Sequence, residues 1–97
     1  MSLNNEFRNT VLFHGSPFPF RPGDIVEPRG SFETAYATTD LHEANDYGRG
    51  KAQSNAERDQ SSVYHVEPLE DDDSLQMAGN YALSKKGFRV VRKVRVD

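Results

Sequence analysis

Apolar residues in this chain come in short clusters separated by long polar stretches. The first cluster, Val11-Leu12-Phe13, reads as a buried strand. Asp24-Ile25-Val26-Glu27 is a short strand candidate stopped by Pro28. Ala35-Tyr36-Ala37-Thr38 is a short strand of small and β-tolerant residues. Leu41, Ala44 and Tyr47 then recur near helical spacing, so one face of a short helix is apolar. Val63-Tyr64-His65-Val66-Glu67 alternates as a strand until Pro68 ends its pairing. Phe88 to Val96 closes the chain as a long strand. Its alternation slips between Val90 and Val91, which predicts a bulge or a two-sided environment.

The polar stretches carry their own signals. Pro17, Pro19, Pro22 and Gly23 force an irregular, extended connection, with a tight turn at Pro22-Gly23-Asp24. Residues 29–34 form a second loop. Asp40-Leu41-His42-Glu43 is a helix start: Asp40 accepts from the backbone three residues on, and Glu43 reaches back to complete the box. Gly48 is a natural stop. Residues 48–62 lack an apolar stripe and read as a mobile loop, or as a frayed helical extension through Ala52 and Ala56. Residues 76–84 read as irregular. No internal repeat is visible. The expected fold class is α+β: a compact strand-rich domain of small antiparallel sheets, with one short helix and long loops.

A chain of 97 residues predicts a single domain over 1–97 with one modest core. Residues 1–10 are expected to be flexible, and Met1-Ser2-Leu3 reads as a cloning remnant. The net charge of -3 calls for neither a nucleic acid nor a membrane surface. Residues 67–73 are acidic and residues 85–95 basic, so these segments either pair across a sheet or face solvent. The absence of cysteine excludes disulfides, thiolate nucleophiles and cysteine-ligated zinc. No apolar run approaches the roughly 20 residues of a membrane span. No signal peptide is visible, so a cytoplasmic location is the default expectation.

Candidate chemistry concentrates at the end of the first strand. His14, Gly15 and Ser16 offer an imidazole, a peptide N–H unobstructed by a Cβ, and a hydroxyl at one point. Such a set suits a polar ligand with an amide and sugar hydroxyls. Tyr36 lies between Ala35 and Ala37, so its ring is either a stacking surface or core filling. Glu70-Asp71-Asp72-Asp73 places carboxylates just beyond a strand end, either to stabilise a cation or as a solvated turn. The three histidines, His14, His42 and His65, make no metal-ligand spacing. Asp71 to Asp73 lack the glycine and terminal glutamate of a calcium loop, so no metal is expected. Ser16 has no strand–elbow–helix context for a hydrolase nucleophile. Gly48-Arg49-Gly50-Lys51 does not open a helix after a strand, as a phosphate loop does.

In order and spacing these pieces resemble the rifamycin ADP-ribosyltransferase family and its small relatives. Leu12-Phe13-His14-Gly15-Ser16 is similar to the family's strand ending in His-Gly, and Arg21-Pro22-Gly23-Asp24-Ile25-Val26 to its Gly-Asp turn. The run from Ala35 to Ala44, with Tyr47-Gly48 following in step, resembles its tyrosine strand leading into a helix. Val63 to Leu69 is similar to its Val-Glu-Pro strand before an acidic turn, and Ser84 to Val91 to its last strand. The resemblance spans roughly residues 11 to 96, nearly the whole chain; each piece is weak alone.

The resemblance implies an NAD-dependent mono-ADP-ribosyltransferase with a His, Tyr and acidic triad. His14 matches the histidine, Tyr36 the tyrosine and Asp72 the acid, with Asp71 and Asp73 open because the turn is about two residues shorter than in the family. NAD would be a co-substrate, held by His14, Gly15, Ser16 and Tyr36. The acceptor would be a rifamycin-like drug, another small molecule or an unidentified macromolecule, with nucleic acid disfavoured by the small basic surface. Two alternatives stay open: a catalytically silent module that binds NAD or ADP-ribose, and a small protein-interaction domain.

Overall fold

The structure, a computed structural model, describes residues 11–28, 33–50, 54–56 and 61–95 of the 97. Residues 1–10, together with 51–53 and 57–60 of the 48–62 segment for which mobility was expected, lie outside them. The elements run β1 (Leu12–Ser16), β2 (Ile25–Val26), β3 (Ala35–Thr38), α1 (Leu41–Gly50), β4 (Ser62–Pro68), β5 (Gln76–Ala78), β6 (Tyr81–Ser84) and β7 (Phe88–Val94). The α+β class holds. Several small sheets were expected; instead all seven strands join one antiparallel sheet, in the order β2-β7-β4-β1-β3-β6-β5.

Strand alternation sorts the side chains onto two faces. One face carries Leu12, Ala35, Ala37, Tyr64, Val66, Ala82, Phe88 and Val90, all buried, and Val26 joins them from β2. Loops cover this core. Phe20 packs onto it from the proline-rich connection, and Leu75 from the turn before β5. The Phe20 backbone N–H donates to the Tyr64 hydroxyl at 3.1 Å, which pins the loop to the sheet and satisfies a buried polar group. Fully burying a side chain such as Phe88 stabilises the fold by about 1.5–3 kcal/mol.

The opposite face receives α1. The helix lies so close to β1 that a Cβ on Gly15 would stand 1.6 Å from the Ala44 carbonyl oxygen. A Cβ on Gly48 would stand 2.6 Å from the Ser16 backbone nitrogen. Gly48 was expected to stop the helix. It continues it to Gly50, because its missing side chain is the contact that lets helix and strand touch. The helix start forms as expected on one side: Asp40 Oδ1 accepts from the N–H groups of His42 at 2.8 Å and Glu43 at 3.1 Å. Glu43 does not reach back, however. The Asp40 N–H donates to Thr38 Oγ1 at 3.1 Å, and that hydroxyl donates to Glu43 Oε2 at 3.2 Å.

Residues 76–84, expected to be irregular, form the β5–β6 hairpin, with Gly79 at φ +63° in its turn. The expected slip in β7 is a bulge: Val66 pairs with Val90 and His65 with Arg92, so Val91 is the extra residue. The acidic and basic segments do meet across the sheet. Glu67 pairs with Arg89 at 3.6 Å, and Lys86 Nζ donates to the Asp71 carbonyl at 2.9 Å. Both contacts are exposed, so each contributes little to stability.

Candidate functional site

The sheet opens between β1 and β3. Phe13 pairs with Thr38, and beyond that pair the contact passes to a side chain. His14 Nδ1 donates to the Tyr36 carbonyl oxygen at 2.8 Å in a buried setting. Because a carbonyl only accepts, Nδ1 carries the proton, and in the neutral ring Nε2 is then an acceptor. Alternation puts His14 on the core face, with Leu12 and Tyr64, and Tyr36 on the helix face. Their rings nonetheless come within 5.0 Å, because both lean into the split. Phe20 supports the imidazole with an edge contact at 6.1 Å.

Tyr36 is the centre of an aromatic cluster. Its ring lies 3.9 Å from Tyr47 on α1, tilted by 49°, and 6.1 Å from Tyr81 on β6. Tyr36 is buried, whereas Tyr47 and Tyr81 are 37% and 38% exposed and form the mouth of the cluster. Burial first, and then the adjacent Tyr47, push the Tyr36 phenol above its ordinary range, while the Gly15 backbone N–H facing its hydroxyl works the other way. Tyr47 is pushed up by burial and by Tyr81. The Tyr36 and Tyr47 phenols are therefore neutral near pH 7, and with the Tyr81 ring beside them they make a cluster of electron-rich rings that suits a flat, cationic or electron-poor partner.

Sequence reasoning singled out Tyr36 and missed Tyr47 and Tyr81 as its companions. Tyr47 was read as part of an apolar helix face. Its signal was the adjoining Gly48: a helix glycine that seats on the strand carrying His14-Gly15 must bring its neighbour to the same place. Tyr81 fell in a segment without recognisable periodicity, and no sequence signal marked it.

Two other expected ligand groups are engaged within the fold. Gly15 lacks a Cβ as the backbone approach required, but the space is taken by α1. Its N–H faces the Tyr36 hydroxyl. Ser16 is buried, and its Oγ accepts from the Phe18 N–H at 2.9 Å, which folds the chain into the proline loop.

Asp72 is buried, whereas Asp71 and Asp73 are exposed. Its carboxylate gathers the turn before β5 onto the end of β6. Oδ1 accepts from the Ser74 N–H at 2.9 Å and from the Ser74 hydroxyl; Oδ2 accepts from the Ser84 hydroxyl. Burial opposes the charge, but the hydroxyls of Ser74 and Ser84, the Ser74 N–H and nearby Lys86 outweigh it and hold the carboxyl below its usual range. Ser84 stands opposite Ala35, one residue from Tyr36, on the face of the sheet that His14 shares. The described contacts thus bring His14, Gly15 and Tyr36 together, and tie Asp72 to Ser74 and Ser84 rather than to those three.

No protein-family model matches this chain, and no curated protein matches it in sequence. Among the described residues, no three His, Asp or Glu side chains come together to hold a metal ion. Nor, among them, is any helix long and apolar enough to cross a membrane.

Proposed function

We propose that this domain binds the nicotinamide end of NAD in the split between β1 and β3 and transfers ADP-ribose from it, as a mono-ADP-ribosyltransferase. The observation that carries the proposal is the meeting of His14, Gly15 and the Tyr36–Tyr47 pair at one opening in an otherwise paired sheet. A nicotinamide ring is flat and positively charged in NAD. It would enter between Tyr36 and Tyr47, whose rings now touch, and gain both stacking and cation–π attraction. The acceptor nitrogen of His14 would receive a ribose hydroxyl. The Gly15 N–H would pass from the Tyr36 hydroxyl to the carboxamide oxygen.

Cleavage of the nicotinamide–ribose bond leaves positive charge on the sugar. A carboxylate that is already ionised and fixed stabilises that charge without reorganising. Asp72, held ionised by two serines on His14's side of the sheet, is the group we assign to this role, with Asp71 and Asp73 as the nearest substitutes. Rifamycin-like drugs and macromolecules remain the acceptor classes that the family resemblance suggests. The test is calorimetric titration with NAD, joined to chromatographic assay of nicotinamide release. Binding with release supports the transferase. Binding without release leaves a silent NAD-binding module, and no binding removes the site.

A further inference from the structure

ADP-ribose transfer needs more than a charge for the sugar. An acceptor with a hydroxyl must lose its proton as the new bond forms. Neither Asp72 nor His14 is well placed to take it: both Asp72 oxygens already accept hydroxyl bonds, and the His14 acceptor nitrogen is assigned to the ribose. A second carboxylate lies on the helix face of the sheet, bonded to the strand that carries Tyr36.

That carboxylate is Glu43. It lies four residues before Tyr47 on α1, so the two side chains stand one above the other on the same helix face. Its Oε2 accepts from Thr38 Oγ1 at 3.2 Å. Thr38 is fully buried, lies two residues beyond Tyr36 on the same face of β3, and pairs across the sheet with Tyr81. Glu43, half-buried, is thereby tied to the strand that carries Tyr36 and stands one helical turn before Tyr47. A helix-start glutamate ordinarily closes its capping box on the backbone. Here Thr38 accepts the Asp40 N–H in its place, so the start is satisfied without the Glu43 carboxylate. Among the described residues, Oε1 accepts no hydrogen bond.

We infer that Glu43 is the general base for the acceptor in the transfer reaction proposed above, on which this inference rests. The C1′–N bond to nicotinamide breaks, and its electron pair leaves with nicotinamide. The acceptor oxygen forms the new bond to C1′, and its proton passes to Glu43 Oε1. The acceptor is therefore a neutral, hydroxyl-bearing molecule. An anionic nucleophile needs no base and is repelled by the carboxylate.

The test incubates the full chain with NAD, methanol and azide together, and measures methyl-ADP-ribose, azido-ADP-ribose and nicotinamide. Glu43→Gln keeps an oxygen for Thr38 and removes the base; circular dichroism and the Kd for NAD check that the variant is folded. The expected result is an azide-to-methanol product ratio at least about tenfold above the parent's, within the range that removal of a general base covers, with the Kd within about twofold. Glu43→Asp, which keeps the charge on a shorter arm, should give an intermediate ratio. A ratio within about twofold of the parent's in both variants, with the parent active, overturns the role of Glu43 and leaves the transferase intact. A parent that releases no nicotinamide overturns the transferase and the base with it.

Discussion

The clearest demand the structure makes is on Asp72. Replacing it by Asn removes one charge and one acceptor, and neither orientation of the amide restores the network. Ser84 Oγ already accepts from the N–H groups of Lys86 at 3.1 Å and Gly87 at 2.9 Å, so its hydrogen has to go outward to residue 72. An amide NH₂ turned toward Ser84 would set donor against donor. Turned the other way, it would meet the Ser74 N–H and a Ser74 hydroxyl that already accepts from the Lys85 N–H at 2.9 Å. At least one charge-assisted bond is lost, worth about 1.5–3 kcal/mol, and a buried donor is stranded. The net destabilisation should be about 2–4 kcal/mol at pH 7. Urea unfolding followed by far-UV circular dichroism measures it, with m unchanged. The pH dependence is a second check. The folded carboxyl titrates below its unfolded value, so its contribution is complete above the unfolded pKa of roughly 4 and is lost as pH falls through the folded pKa. The gap between parent and Asp72→Asn should therefore shrink between pH 5 and pH 2. A loss under about 0.5 kcal/mol at pH 7, or a gap that stays constant into acid, refutes the reading of Asp72 as a buried ionised staple.

Gly15→Ala places a methyl 1.6 Å from a backbone oxygen that no rotamer can move, so α1 must retreat. We expect a loss above about 3 kcal/mol, or no folded protein, since overpacking against backbone exceeds the usual side-chain cost; a normal thermal melt would sink the proposed helix contact. Tyr36→Ala and Tyr47→Ala should each weaken NAD binding by about 0.5–1.5 kcal/mol beyond the area lost, roughly two- to tenfold in Kd. Tyr47 is partly exposed, so its variant should keep the parent's stability, whereas Tyr36→Ala should lose some; unchanged titrations for both would disprove the stacking site.

Much of this arrangement was legible because local chemistry and tertiary demand agreed. The strand at 35–38, the Asp40 cap and the bulge at Val91 follow from alternation and side-chain acceptors within a few residues of each other. His14 and Tyr36 were joined only through the family resemblance, and the path between them, a side chain bridging a split sheet, is a property of long-range pairing. Glycine misled twice for one reason. At Gly15 and Gly48 the sequence marks room for a close approach but not what approaches; here it is helix against strand. The β5–β6 hairpin was missed because β5 is an exposed edge strand, and the buried positions of β6 are Ala82 and Ser84, which give no apolar alternation to read. Asp72, Asp71 and Asp73 are indistinguishable in sequence, and only the positions of Ser74 and Ser84 decide which is buried.

The central claim is that a nicotinamide ring leaves this cleft. Its most direct test is the time course of nicotinamide appearance from NAD with the full chain, by chromatography, beside Tyr36→Ala and a protein-free control. The account predicts linear release by the parent, well above the control, and a slower rate in Tyr36→Ala at limiting NAD. Release no faster than the protein-free control, at NAD concentrations that saturate the cleft, would contradict it.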